Sequence, residues 1–147
     1  MQRVTKSAVS VDGQVVGQIG RGFCLLLGVA PADAESDIDW MAQKVAALRV
    51  FEDENHKMNL SLQDIKGEAL VISQFTLLAD CAAGRRPGFT GAGSPDKANR
   101  FYQLFVQKLS AMGIPTQTGI FAADMAVEIH NDGPATFILE SPPHAAK

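Results

Sequence analysis

Apolar and polar residues alternate near the start of the chain and then give way to a solid apolar run. Val9-Ser10-Val11 and Gln14-Val15-Val16 flank Asp12-Gly13, a tight-turn pair, so two strands are predicted around it. After Gly20-Arg21-Gly22, residues 23–29 are continuously apolar, as expected of a strand covered on both faces. The period then changes. Over residues 34–48, Ile38, Met41, Val45 and Leu48 fall on one helical stripe, with Asp33 or Ser36 as the cap. Residues 49–53 fit neither period. Residues 68–77 read as another strand, and residues 80–93 as a glycine-rich loop carrying Arg85 and Arg86. Ser94-Pro95 suits the start of a second helix, whose inner face is Ala98, Phe101, Tyr102, Phe105, Leu109 and Met112. Gly113 ends it and Pro115 cannot continue it. Strand candidates near Thr116–Thr118, 125–130 and 135–140 follow.

The resulting order, β-β-β-α-β-α-β-β-β, is that of an α/β protein with two helices packed on sheet. No repeat and no linker divides the chain, so residues 1–147 read as one domain, with 141–147 as a flexible tail. With 46% apolar and 20% charged residues, an ordinary globular protein is expected. The net charge of −3 offers no cationic excess for gripping a duplex, which argues against DNA and confines any RNA contact to a short end or loop. Cys24 lies in the apolar run, and Cys81 stands alone, so no CxxC pair exists. His56, His130 and His144 are too scattered for a zinc helix, and neither metal nor cofactor is expected. Without a signal peptide or a spanning apolar run, a soluble cytoplasmic protein is expected, with no membrane partner.

Three segments carry candidate chemistry, each with a bland alternative. Ser73-Gln74-Phe75-Thr76-Leu77 leaves an apolar strand for a polar loop. Its hydroxyls and backbone N–H groups could stabilise an oxyanion, or simply terminate the strand. Asn131-Asp132-Gly133-Pro134 has the composition of a hairpin turn, yet Gly-Pro can also hold a cis bond that presents two carbonyls rigidly. Gly84-Arg85-Arg86-Pro87-Gly88-Phe89, just ahead of a helix start, could meet phosphate or be a solvated loop. Met58, Met112 and Met125 read as core.

Taken together, Ser73-Gln74-Phe75-Thr76-Leu77 and Asn131-Asp132-Gly133-Pro134-Ala135-Thr136 resemble the two signature motifs of the D-aminoacyl-tRNA deacylases. Gln2-Arg3-Val4, Leu48-Arg49-Val50-Phe51, Lys57-Met58-Asn59-Leu60, Arg86-Pro87 and residues 119–125 extend the likeness along nearly the whole chain. The resemblance implies a barrel-like sheet, a homodimer, and cleavage of the ester between a D-amino acid and the terminal adenosine of tRNA. It implies that Ser73, Gln74, Phe75 and Thr76 line the carbonyl pocket, with amides near Gln74 and Phe75 as oxyanion donors. A cis Gly133-Pro134 would reach into the partner's site, held by Arg3, with Phe121 and Met125 near the adenine. Arg85, Arg86 and Lys97 are candidates for phosphate contact at the acceptor end. Family members commonly have several more residues before Gln2-Arg3-Val4, a glycine where His56 stands and a valine where Ala135 stands. A shortened first strand is therefore expected.

An aminoacyl ester is already reactive, so a placed water and an oxyanion hole suffice, with the substrate's 2′-hydroxyl available to assist. A covalent Thr76 would need an activating base, and the sequence names none. The competing class is a non-enzymatic dimeric ligand-binding module.

Overall fold

The computed structural model describes residues 1–142; the rest of the expected tail, 143–147, lies outside the described residues. The order expected from the sequence is present, with a small hairpin added between the helices and the last two expected strands merged into one. Strands β1 (Gln2–Val11), β2 (Gln14–Ile19) and β3 (Gly22–Leu27) come first, followed by helix α1 (Glu35–Ala47). A small hairpin, β4 (Phe51–Glu52) and β5 (Met58–Leu60), precedes β6 (Glu68–Ser73). A 3-10 turn (Phe75–Leu78), α2 (Pro95–Ala111), β7 (Thr116–Thr118) and β8 (Ala126–Thr136) complete the chain.

β3, β6 and β7 run parallel, because α1 and α2 are the crossovers between them. β1 has ten residues and so is not short. β8 runs along one of its edges, while β3 and β2 share the other, at Gln2–Val4 and Ser7–Val11 respectively. The path β2-β1-β3-β6-β7 curls until β7 comes back to β2. There a Cβ on Gly17 would lie 2.6 Å from the Thr118 carbonyl oxygen, so the close approach requires glycine. The sheet is a nearly closed barrel.

Strand alternation divides the core in two. Phe23, Leu25, Ala69 and Val71 face the helices, where Ile38, Ala42, Val45, Ala98, Phe101, Phe105 and Leu109 cover them. Cys24, Leu70 and Ile72 point the other way, into the barrel with Val4, Val9 and Ile19. This two-sided burial explains the unbroken apolar run in β3. Burial pushes the Cys24 thiol pKa up, consistent with a core hydrophobe.

Ser94 caps α2 by accepting the Lys97 N–H at 3.4 Å, with Pro95 opening the helix. At α1 the cap differs from expectation. Neither Asp33 nor Ser36 occupies it; Ala34 does, and the Asp37 carboxylate accepts the Ala34 N–H at 2.7 Å. Among the methionines, Met112 and Met125 pack against the core, but Met58 is 53% exposed, because its two-residue partner strand gives it nothing to cover it. Among the described residues no helix is long and apolar enough to cross a membrane.

Candidate active site

β3 and β6 end side by side at Leu27 and Ser73. Carboxyl ends of parallel strands are where α/β sheets open a crevice. β6 stops because the backbone leaves the ladder: the Gln74 N–H donates to the Leu27 carbonyl at 2.8 Å, and the chain then tightens into the 3-10 turn. The Gln74 amide is thereby spent on the fold. The opening N–H groups of a helical turn have no partner within it, which leaves the Phe75 and Thr76 amides as the candidate donors.

Ser73 is half-buried and Thr76 exposed, and among the described residues neither hydroxyl has a hydrogen-bond partner. Phe75 is 54% exposed and meets Phe89 edge-on at 5.1 Å. The sequence placed Phe89 at the end of the basic glycine-rich segment, but its pairing with Phe75 was hidden because only the fold brings that loop back onto the turn. Asp80 and Gly88 exchange two backbone hydrogen bonds of 2.8 Å, so the loop between them stands out with Arg85 and Arg86 exposed. Lys97 is placed differently. Its Nζ donates to the Pro31 carbonyl at 2.5 Å and lies over the Phe101 ring.

Met125 sits over Gly119 beside Ile72, and Phe121 packs on Tyr102 with ring centroids 6.2 Å apart. Met125 therefore borders the end of β6, while Phe121 reaches it through Tyr102. The Tyr102 hydroxyl, its pKa raised by burial, donates to the Val71 carbonyl at 3.1 Å and anchors α2 two residues before Ser73.

The second motif is no hairpin turn. The two strands expected around it are one, β8, and Asn131–Thr136 forms a bulge within it. Val4 pairs with Asn131 and Gln2 with Thr136, so four β8 residues stand opposite the single residue Arg3. Arg3 is 4% exposed. Its Nε and Nη2 donate to the Asp132 carbonyl at 3.1 and 2.9 Å, and its Nη1 to the Val50 carbonyl at 2.7 Å. The Gly133–Pro134 bond is cis, and both residues are exposed. Gly133 has φ +123°, and a Cβ there would lie 2.7 Å from Arg3 Nη2, so only glycine fits.

The two motifs do not meet within one chain. Arg3 pairs with Phe23, and Ser73 with Leu27, so they lie four residues apart along β3. That is about 13 Å, and the bulge is three strand positions, about 14 Å, across from β6.

The chain is similar to known proteins along nearly its whole length. The family model described as D-Tyr-tRNA(Tyr) deacylase matches residues 1–140. A Geobacter metallireducens protein named D-aminoacyl-tRNA deacylase is 57% identical over 97% of this chain and 94% of its own. A relative of the same name from a Sulfurihydrogenibium species is 59% identical over 96% and 95%. Among solved structures, one titled c-Myc DNA Unwinding Element Binding Protein superimposes with a TM-score of 0.91 at 41% identity, covering 97% of both chains. A probable eukaryotic D-amino acid tRNA deacylase shares the fold at 13% identity, with a TM-score of 0.77 over 89% and 91% of the two chains. With its two signature segments folded into a strand end and a clamped bulge, the chain belongs to the D-Tyr-tRNA(Tyr) deacylase family.

Proposed function

We propose that this protein hydrolyses the ester joining a D-amino acid, or glycine, to the terminal adenosine of tRNA, as a cytoplasmic homodimer. The observation that carries this reading is the family match over residues 1–140, spanning both motifs. In the reaction a water adds to the ester carbonyl, the bond to the ribose oxygen breaks, and free amino acid and tRNA leave.

The Phe75 and Thr76 amides receive the developing oxyanion. Ser73 and Thr76 offer free hydroxyls to water or substrate, Gln74 lines the same pocket, and the neighbouring 2′-hydroxyl assists. With no base hydrogen-bonded to the Thr76 hydroxyl among the described residues, a positioning role is favoured over a covalent one. Phe121 and Met125 offer an apolar wall to the adenine. Arg85 and Arg86 approach acceptor-end phosphates; Lys97, already tied to Pro31, is the weaker candidate.

The separation of the motifs supports the dimer. Set apart from its own Ser73 along the sheet, the exposed Gly133–Pro134 backbone acts in a second copy's crevice. Among the described residues β8 pairs only with β1, so its outer edge is available for such an approach. There the two carbonyls receive the substrate's α-amino group. With the amine and ester carbonyl fixed, a D side chain points outward, whereas an L side chain runs into clamped backbone. Rejection rests on a clash rather than on a side-chain pocket. A DNA-binding role like that in the name of one solved relative finds no support in a net charge of −3.

The decisive experiment incubates the protein with D-tyrosyl-tRNA and follows release of D-tyrosine. Binding of the tRNA with the ester left intact would favour the ligand-binding module instead.

A further inference from the structure

We propose that Asn131 is a positioning residue for discrimination, its side-chain amide tying together the two feet of the Gly133–Pro134 bulge. The proposal rests on the reading above, in which that backbone excludes L-residues.

Gly133 and Pro134 are exposed, so what holds them in place must act from the flanks. Arg3 grips one point, the Asp132 carbonyl. The base of the bulge is closed by different groups. The Ala135 N–H donates to Asn131 Oδ1 at 2.8 Å, and Asn131 Nδ2 donates to Thr136 Oγ1 at 3.0 Å. Gln2 Nε2 reaches the same hydroxyl oxygen from β1 at 3.2 Å.

A backbone N–H can only donate, so it identifies the end of the Asn131 amide facing it as oxygen. The nitrogen must then face Thr136, where a hydroxyl oxygen is waiting. One planar side chain thus bonds both positions that follow the Gly133–Pro134 pair, from two positions before it. Serine or alanine could not span both. Asn131 is half-buried and Thr136 exposed, so water can replace the bond between them, whereas Ala135 is buried and its N–H depends on Asn131 Oδ1. Losing both bonds frees the bulge to shift.

The test compares wild type with Asn131→Ala, Asn131→Asp and Thr136→Val. For each, kcat/KM is measured on D-tyrosyl- and L-tyrosyl-tRNA, with NMR exchange of the Ala135 amide as a readout independent of activity. Asn131→Ala should lower the D:L ratio about ten-fold, the factor expected for losing one or two ordinary hydrogen bonds, and speed Ala135 exchange. Asn131→Asp keeps the acceptor for Ala135, and the Thr136 hydroxyl can turn to donate. It should retain the ratio within about three-fold. An unchanged ratio in Asn131→Ala, or a loss in Asn131→Asp as large as in Asn131→Ala, overturns the proposal. If Asn131→Ala does not fold, Thr136→Val decides, and an unchanged ratio there overturns it equally. A wild type without D-over-L preference sinks the underlying reading; a discriminating wild type with an indifferent Asn131→Ala sinks only the role of Asn131.

Discussion

Arg3→Met is the most informative single perturbation of the clamp. Arg3 is almost fully buried and makes three hydrogen bonds to two carbonyls, one from Val50 and one from Asp132. Methionine keeps the apolar stem and removes every donor. The Val50 carbonyl is buried and would lose its Arg3 donor, at about 1–3 kcal/mol; the partly open Asp132 carbonyl can recruit water, so its loss is about 1 kcal/mol. The ion pair to the Asp132 carboxylate, at 3.6 Å with that side chain 41% exposed, adds little. Against this, methionine spares the guanidinium its own desolvation, so the lower part of the range applies, about 2 kcal/mol. For a chain of 147 residues that is a melting temperature lower by roughly 6 °C. Calorimetry measures the shift, and deacylation of D- and L-tyrosyl-tRNA measures selectivity. A melting temperature within about 2 °C of wild type, together with an unchanged D:L ratio, would refute the clamp.

Three further outcomes are expected. Tyr102→Phe removes the hydroxyl bonded to Val71 and should cost about 1 kcal/mol, read by urea unfolding; no change would mean water replaces it. Asp53 accepts the Lys57 and Asn55 N–H groups and the Asn59 amide, which hold its pKa below the usual 3.8. A depressed folded pKa stabilises above the unfolded value and is lost as pH falls through the folded one. Amide exchange in the β4–β5 hairpin should therefore stay slow down to pH 3.8 and rise below it, and loss of protection already at higher pH would contradict the assignment. Thr76→Ala should lower deacylation modestly, and isolation of an aminoacyl ester on Thr76 would replace water attack with a covalent route.

What the sequence revealed depended on whether the deciding contacts were local. Ser94-Pro95 and the stripe from Ala98 to Met112 located α2 because capping and helical period act within a few residues. The β4–β5 hairpin stayed hidden because Asp53's side chain, not a period-two pattern, organises it. Asn131-Asp132-Gly133-Pro134 looked like a turn because its composition is that of one. Arg3, 129 residues away, and the pairing of β8 with β1 make it a bulge instead. A signal for the clasp was present, since Asn readily bonds nearby backbone N–H groups, but the hairpin reading absorbed it. Ser73 to Thr76 was legible as a strand end, whereas the use of the Gln74 amide by Leu27 requires knowing which strand lies beside β6.

In the proposed reaction, clamped backbone excludes one hand of substrate instead of a pocket selecting the other. Glycine has hydrogen in both directions and cannot be excluded this way. Time courses of ester loss from D-tyrosyl-, L-tyrosyl- and glycyl-tRNA with one enzyme preparation therefore test it most directly. The account predicts cleavage of the D-tyrosyl and glycyl esters with the L-tyrosyl ester spared. Rapid cleavage of L-tyrosyl-tRNA, or refusal of glycyl-tRNA where D-tyrosyl-tRNA is cleaved, would contradict it.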